Sequence, residues 1–134
     1  MKTRNRTCVL FLVTVAVHCP LWPAPILLST PSHAAAPITP SGLNTEVTLS
    51  AAAPPGKVQY DITGGTRPGG GASLFHSFGD FNVPNNNIAN FLNNSGLPTT
   101  NILGRVTGGN ISNIFGTIQT TGFGNANLFL MNPA

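Results

Sequence analysis

The sequence predicts an all-β domain of short strands joined by tight corners. Three observations carry that expectation. All 15 glycines and eight of the twelve prolines fall after residue 34. No window keeps an apolar helical stripe over about 11 positions. Short segments instead alternate apolar and polar residues, the period of a strand with one buried face.

The chain opens on a different kind of segment. Met1 to Arg6 are basic and polar, Cys8 to Val17 form an apolar run, and small residues cluster between Ser29 and Ala36. This is the three-part layout of a secretory signal. Ser32-His33-Ala34 sets small side chains at the two positions a signal peptidase reads, so cleavage is expected between Ala34 and Ala35. The alternative cut after Ala36 would leave Pro37 next to it, which is unfavourable. A membrane anchor fits less well, because the first run has about half of the ~20 apolar residues a span needs. Pro20, Pro23 and Pro25 then interrupt helical continuity. A lipid-anchored form is disfavoured because Cys19 follows His18, where a small residue is required. The expected organisation is a signal over 1–34 and one domain over 35–134. Both cysteines, Cys8 and Cys19, lie in the signal, so the exported part is expected to carry no disulfide although its compartment permits them.

Beyond the signal the strands succeed one another in order. Val47 and Leu49 alternate with Glu46 and Thr48, and Val58, Tyr60 and Ile62 with Lys57, Gln59 and Asp61. Phe81 and Val83, Ile102 and Val106, Ile114 and Ile118, and Leu128 and Leu130 continue the pattern. Turn signals separate them: Pro54-Pro55-Gly56, Gly64-Gly65, Pro68 to Gly71, Pro84 to Asn87, Asn94-Ser95-Gly96 and Gly108-Gly109. Frequent short strands and such corners fit a sandwich, a barrel or a β-helix. Asparagine recurs before an apolar residue at Asn101-Ile102, Asn110-Ile111, Asn113-Ile114 and Asn127-Leu128. In a stacked coil, an Asn at a corner bonds its neighbour in the next coil while the Ile points inward. Asparagine is also a common turn residue, so the three architectures stay open on pattern alone.

Charge and chemistry exclude several functions. Lys2, Arg4 and Arg6 lie in the signal, while Lys57, Arg67 and Arg105 balance Glu46, Asp61 and Asp80 in the remainder. The domain is therefore near neutral, unlike a nucleic-acid binder with a basic face. His76 is the one histidine after residue 34, so a histidine-based metal site has no second imidazole. His76, Ser77 and Asp80 are nearly adjacent and lack the Gly-x-Ser-x-Gly elbow of a hydrolase. Nothing pairs the three carboxylates for acid–base cleavage of a polysaccharide. The glycines at 69–71 lack the Gly-Lys-Ser/Thr ending of a phosphate loop. Asn93-Asn94-Ser95 and Asn110-Ile111-Ser112 match the glycosylation sequon, as an Asn- and Ser-rich chain does by chance. Phe75, Phe78, Phe81, Phe91, Phe115, Phe123 and Phe129 are expected to pack core and cap. No catalytic residue, cofactor or metal is expected, nor stable membrane insertion.

Three stretches together resemble the N-terminal domain of filamentous haemagglutinin-like exoproteins of two-partner secretion, especially those of cyanobacterial type. The first is Ile38-Thr39-Pro40-Ser41-Gly42. The second is Ile62-Thr63-Gly64-Gly65-Thr66-Arg67, running into Leu74-Phe75-His76-Ser77-Phe78 and Phe81-Asn82-Val83-Pro84. The third is Ile102-Leu103-Gly104-Arg105-Val106-Thr107-Gly108-Gly109, followed by Ser112-Asn113-Ile114, Gly116, Ile118 and Asn127 to Pro133. The resemblance covers nearly all of 35–134, in order. It implies a right-handed parallel β-helix with an N-terminal cap. It also implies export by the general secretory machinery, processing by signal peptidase, and passage through the periplasm. There an outer-membrane partner pore recognises the domain through the pore's periplasmic domains and passes it to the cell surface or the medium. Outside, the domain nucleates folding of a long adhesin-like passenger. Arg67 and Arg105, each beside a Gly-Gly pair, and Asn132 and Pro133 are the candidate contacts with the pore. A locally paired or solvated charge is the plainer role for either arginine.

The resemblance breaks at Ala134. Members usually continue past Asn-Pro with an Asn-Gly, an apolar run and long repeats, so a domain incomplete at its C-terminal end, without a passenger, is expected here. A small exported carbohydrate-binding β-module, with Tyr60 and an Asn-rich face as contacts, is the second reading.

Overall fold

A computed structural model describes residues 35–134; the expected signal segment lies outside the described residues. Eight strands run in sequence: β1 (Ile38–Gly42), β2 (Thr45–Leu49), β3 (Val58–Gly64), β4 (Ser73–Phe81), β5 (Asn87–Leu92), β6 (Asn101–Val106), β7 (Thr117–Thr121) and β8 (Asn127–Met131). The described residues form no helix except a 3-10 turn at Pro68–Gly70. The all-β expectation therefore holds at the level of class.

The strands form two four-stranded sheets, ordered β1-β4-β6-β8 (sheet A) and β2-β3-β5-β7 (sheet B). From β3 onward the chain crosses from one sheet to the other at every connection. Strands that meet in a sheet are therefore separated by a full circuit. Asp61 lies opposite Asn90, 29 residues on, and Asn101 lies opposite Asn127, 26 residues on. The pairs β3–β5, β5–β7, β4–β6 and β6–β8 are all parallel. At one margin the direction reverses, where β1 pairs with β4 and β2 with β3 antiparallel. Pro40 and two irregularities of register interrupt β1, features that blunt an exposed edge against stray pairing.

The inner faces of both sheets share one core. Ile62, Ala89 and Phe91 come from sheet B, and Ile38, Leu74, Phe78, Phe81, Ile102 and Val106 from sheet A, with Val83 and Phe123 from connections. Phe78 is the hub: its ring meets Phe81 edge-on at 4.9 Å and Phe91 at 6.2 Å between centroids. At the corners the stacked backbones come so close that only glycine fits. A Cβ on Gly108 would overlap the Gly79 carbonyl, and one on Gly116 would meet the carbonyls of Pro84 and Asn87.

The strand expectations fare unevenly. Ile62, Phe81, Val83, Ile102 and Val106 are buried as expected, whereas Leu49 is 70% exposed and Ile114 40% exposed. The corner asparagines do tie one circuit to the next. Asn127 donates to the Asn101 side chain at 3.2 Å, and Asn110 to Asp80 at 2.8 Å. The Asn113 backbone N–H donates to the Asn82 side chain at 2.9 Å. Their apolar neighbours divide, with Ile102 buried, Leu128 half-buried, and Ile111 and Ile114 exposed. Four of the seven phenylalanines, Phe78, Phe81, Phe91 and Phe123, are buried. Phe115 and Phe129 are exposed instead: the alternation of β8 points Phe129 outward, and Phe115 lies in the connection before β7, where Asn113 and Ile114 are exposed too.

Candidate partner-recognition surface

Strand alternation decides which side chains can meet a partner. On β4, Leu74, His76 and Phe78 are buried, while Phe75 and Ser77 lie on the opposite, half-buried face. His76 and Ser77 therefore point to opposite sides of one strand, which separates them as a catalytic pair. Ser77 Oγ pairs with Ser41 Oγ at 2.8 Å, and Asp80 accepts from Asn110. Tyr60 faces inward and packs against the core, so the carbohydrate reading loses its aromatic platform. Many of the corner asparagines are occupied in joining circuits. Among the described residues no group of three His, Cys, Asp or Glu side chains converges on a metal position.

The outer face of sheet B is polar and internally satisfied. In register across β3, β5 and β7 stand Asp61, Asn90 and Gln119. Asn90 donates to Asp61 at 2.8 Å, and Gln59 donates to the same carboxylate oxygen at 2.7 Å. Thr121 and Gln119 donate to the Asn90 carbonyl at 2.6 and 3.3 Å. Burial alone would raise the Asp61 carboxyl, but hydrogen bonds from Asn90, Ser50 and Gln59 outweigh it and hold the group below its ordinary value.

The four residues expected to touch a partner separate into two groups. Arg67, at the end of the β3–β4 connection's first turn, is half-buried and tied into the fold. Its guanidinium donates to Thr99 Oγ1 at 2.6 Å and to the carbonyls of Pro98 and Gly71 at 3.4 and 3.5 Å. It thereby joins the β3–β4 connection to the β5–β6 connection. Arg105 stands outward on β6, exposed. With Leu130, Met131, Asn132 and Pro133 it lines one open cavity of ≈ 480 Å³. The Asn132 amide is partly committed there: it donates to Ser112 Oγ at 2.8 Å and to the Asn110 carbonyl at 2.9 Å. Three of the four candidates thus come together, and Arg67 stands apart from them as a structural tie. A nearby Gly-Gly is common to both arginines and could not separate them; their surroundings do, Arg67 being hydrogen-bonded in a connection and Arg105 exposed on β6.

That division can be measured. Arg67→Ala should cost about 1.5–3 kcal/mol of stability, the range for losing hydrogen bonds to a charged group. Arg105→Ala should stay within about 0.5 kcal/mol of the parent, as surface substitutions do. Urea unfolding monitored by circular dichroism compares them, and equal effects would contradict the assignment of Arg67 as a tie.

The described residues thus form an all-β domain of mostly parallel stacked strands, with its few charges mostly tied into its own fold. The family model of the TPS secretion domain matches residues 36–134, and the chain belongs to this two-partner secretion family. No curated protein and no solved structure gives a match. The family is one of secretion domains and not of enzymes, and membership implies export across the outer membrane with a transporter as partner.

Proposed function

We propose that residues 35–134 are the secretion domain at the front of a filamentous haemagglutinin-like adhesin. The periplasmic domains of an outer-membrane transporter recognise it. Residues 1–34 address the chain to the general secretory machinery and are removed by signal peptidase between Ala34 and Ala35. The domain folds as a right-handed parallel β-helix and, at the cell surface, nucleates the folding of the adhesin's passenger.

The observation that carries this reading is the alternation between sheets with parallel pairing from β3 onward. Each circuit of 26 to 29 residues lays one strand on each sheet and binds it to the circuit before. A stack of this kind grows in one direction by adding circuits, each contacting only its neighbour. The antiparallel β1 and β2, with Pro40, close the opposite margin. A fold that grows one circuit at a time suits a chain emerging gradually from a pore, since every circuit folds on a finished one.

The test is export of the full chain from cells that carry or lack a two-partner outer-membrane transporter. The chain should reach the medium or the cell surface only where the transporter is present, and should be held in the periplasm where it is absent. N-terminal sequencing of the periplasmic form should begin at Ala35. Release without any transporter would overturn the proposal.

A further inference from the structure

The two outer faces differ in kind, and the difference picks out a docking surface. The sheet B face is a polar ladder whose members bond one another. The sheet A face is layered. In register across β4, β6 and β8 run Phe75, Leu103 and Phe129, an apolar row about 10 Å wide at the ordinary spacing of strands. The next row on the same face is Ser77, Arg105 and Met131. Phe129 is 49% and Met131 46% exposed, and Phe75 and Leu103 are half-buried. The exposed Phe129 and Met131 side chains thus continue two half-buried apolar neighbours into one contiguous patch, unlike the single exposed apolar residues ordinary on a surface. Arg105, beside them, makes no ion pair or hydrogen bond with any described residue.

We infer that this face, formed by Phe75, Leu103, Arg105, Phe129 and Met131, is where the transporter docks. The matching segment of its periplasmic domains presents an apolar side chain next to a carboxylate. The inference rests on the proposed secretion function and names its contact. An unpaired guanidinium bordering apolar surface is matched by a carboxylate, which it grips through two parallel hydrogen bonds, and the apolar row shields that pair from water. A second copy of this chain is poorly matched as occupant. After residue 34 its carboxylates are Glu46, Asp61 and Asp80. Thr63 donates to the first, Gln59 and Asn90 to the second, and Asn110 to the third. Two copies meeting through this face would also bring their two Arg105 side chains towards each other, an arrangement that like charges oppose.

The test uses the full chain in cells with the transporter whose removal abolishes its export. Arg105→Glu should lower export at least about tenfold, and Arg105→Lys, which keeps the charge but cannot form the two parallel hydrogen bonds, should fall between it and the parent. Thr117→Glu, at an exposed position of β7 on sheet B, should leave export unchanged. A photo-crosslinking residue at position 103 of the otherwise unaltered chain should join the transporter's periplasmic region, and one at position 119 should not. Full export of Arg105→Glu would overturn the docking surface, as would crosslinking from 119 in place of 103. So would a 103 adduct joining two copies of this chain. Export of the parent that ignores the transporter would sink the function itself, and the docking surface with it.

Discussion

Phe78→Ala is expected to cost about 3–5 kcal/mol, the range for removing a fully buried ring and leaving its space behind. Against the roughly 5–15 kcal/mol that holds a domain of this size together, such a loss leaves a large part of the population unfolded in mild denaturant. The ring is fully buried and touches Phe81 and Phe91 by their edges, so no single neighbour can swing in to fill the gap. Phe78 also sits on β4, which pairs antiparallel with β1 on one side and parallel with β6 on the other. Loosening it disturbs the margin of the stack and its first parallel circuit together. Phe129→Ala, on the exposed face of β8, should cost no more than about 1 kcal/mol. Urea titration of the two variants beside the parent decides the matter. A Phe78→Ala cost below about 1 kcal/mol would mean that the core does not depend on this hub.

The contrast between those two phenylalanines marks what the sequence makes legible. Class and corners could be read because glycine and asparagine announce positive φ, as at Asn44, Gly56, Gly64 and Asn86. Strand β3 could be read because its inner face, Tyr60 and Ile62, alternates with polar residues. Strand β5 could not. Ile88, Ala89, Asn90 and Phe91 are all buried, so both faces are covered and no period of two survives. The polar ladder was equally hidden, since Asp61, Asn90 and Gln119 become neighbours only once register across β3, β5 and β7 is known. The same gap explains the outer apolar row. By residue type alone Phe75 and Phe129 look like core residues, and only strand phase turns them outward. Arg67 and Arg105 share a Gly-Gly neighbour, yet one is held in a web of hydrogen bonds between connections and the other stands on an open strand.

His76 should make the domain lose stability as pH falls from about 6.5 towards 4. Its ring occupies a core position on β4, 1% exposed, stacked near Phe78 and edge-on to Phe91 at 5.5 Å. Nδ1 has one weak partner, Thr45 Oγ1 at 3.4 Å, and Nε2 has no hydrogen-bond partner. Burial, with a smaller push from the Arg67 guanidinium, lowers its pKa from 6.5 to about 4. Above pH 6.5 the ring is neutral whether the chain is folded or not, and contributes no pH dependence. Between 6.5 and 4 the unfolded chain takes up a proton that the folded one refuses, so acid favours unfolding. Below about 4 both forms are charged and the effect levels off. Lowering the pH from 7.5 to 4.5 should therefore remove about 2 to 3 kcal/mol. Asp61 adds a separate loss at lower pH: its depressed carboxyl stabilises the fold above 3.8, the value without the fold, and that contribution fades as pH drops further. Urea midpoints at pH 7.5 and 4.5, for the parent and for His76→Leu, separate the two. The leucine variant should lose the dependence above pH 4.5 whatever its absolute stability, since it has nothing to protonate. An unchanged slope in His76→Leu would place the acid sensitivity elsewhere.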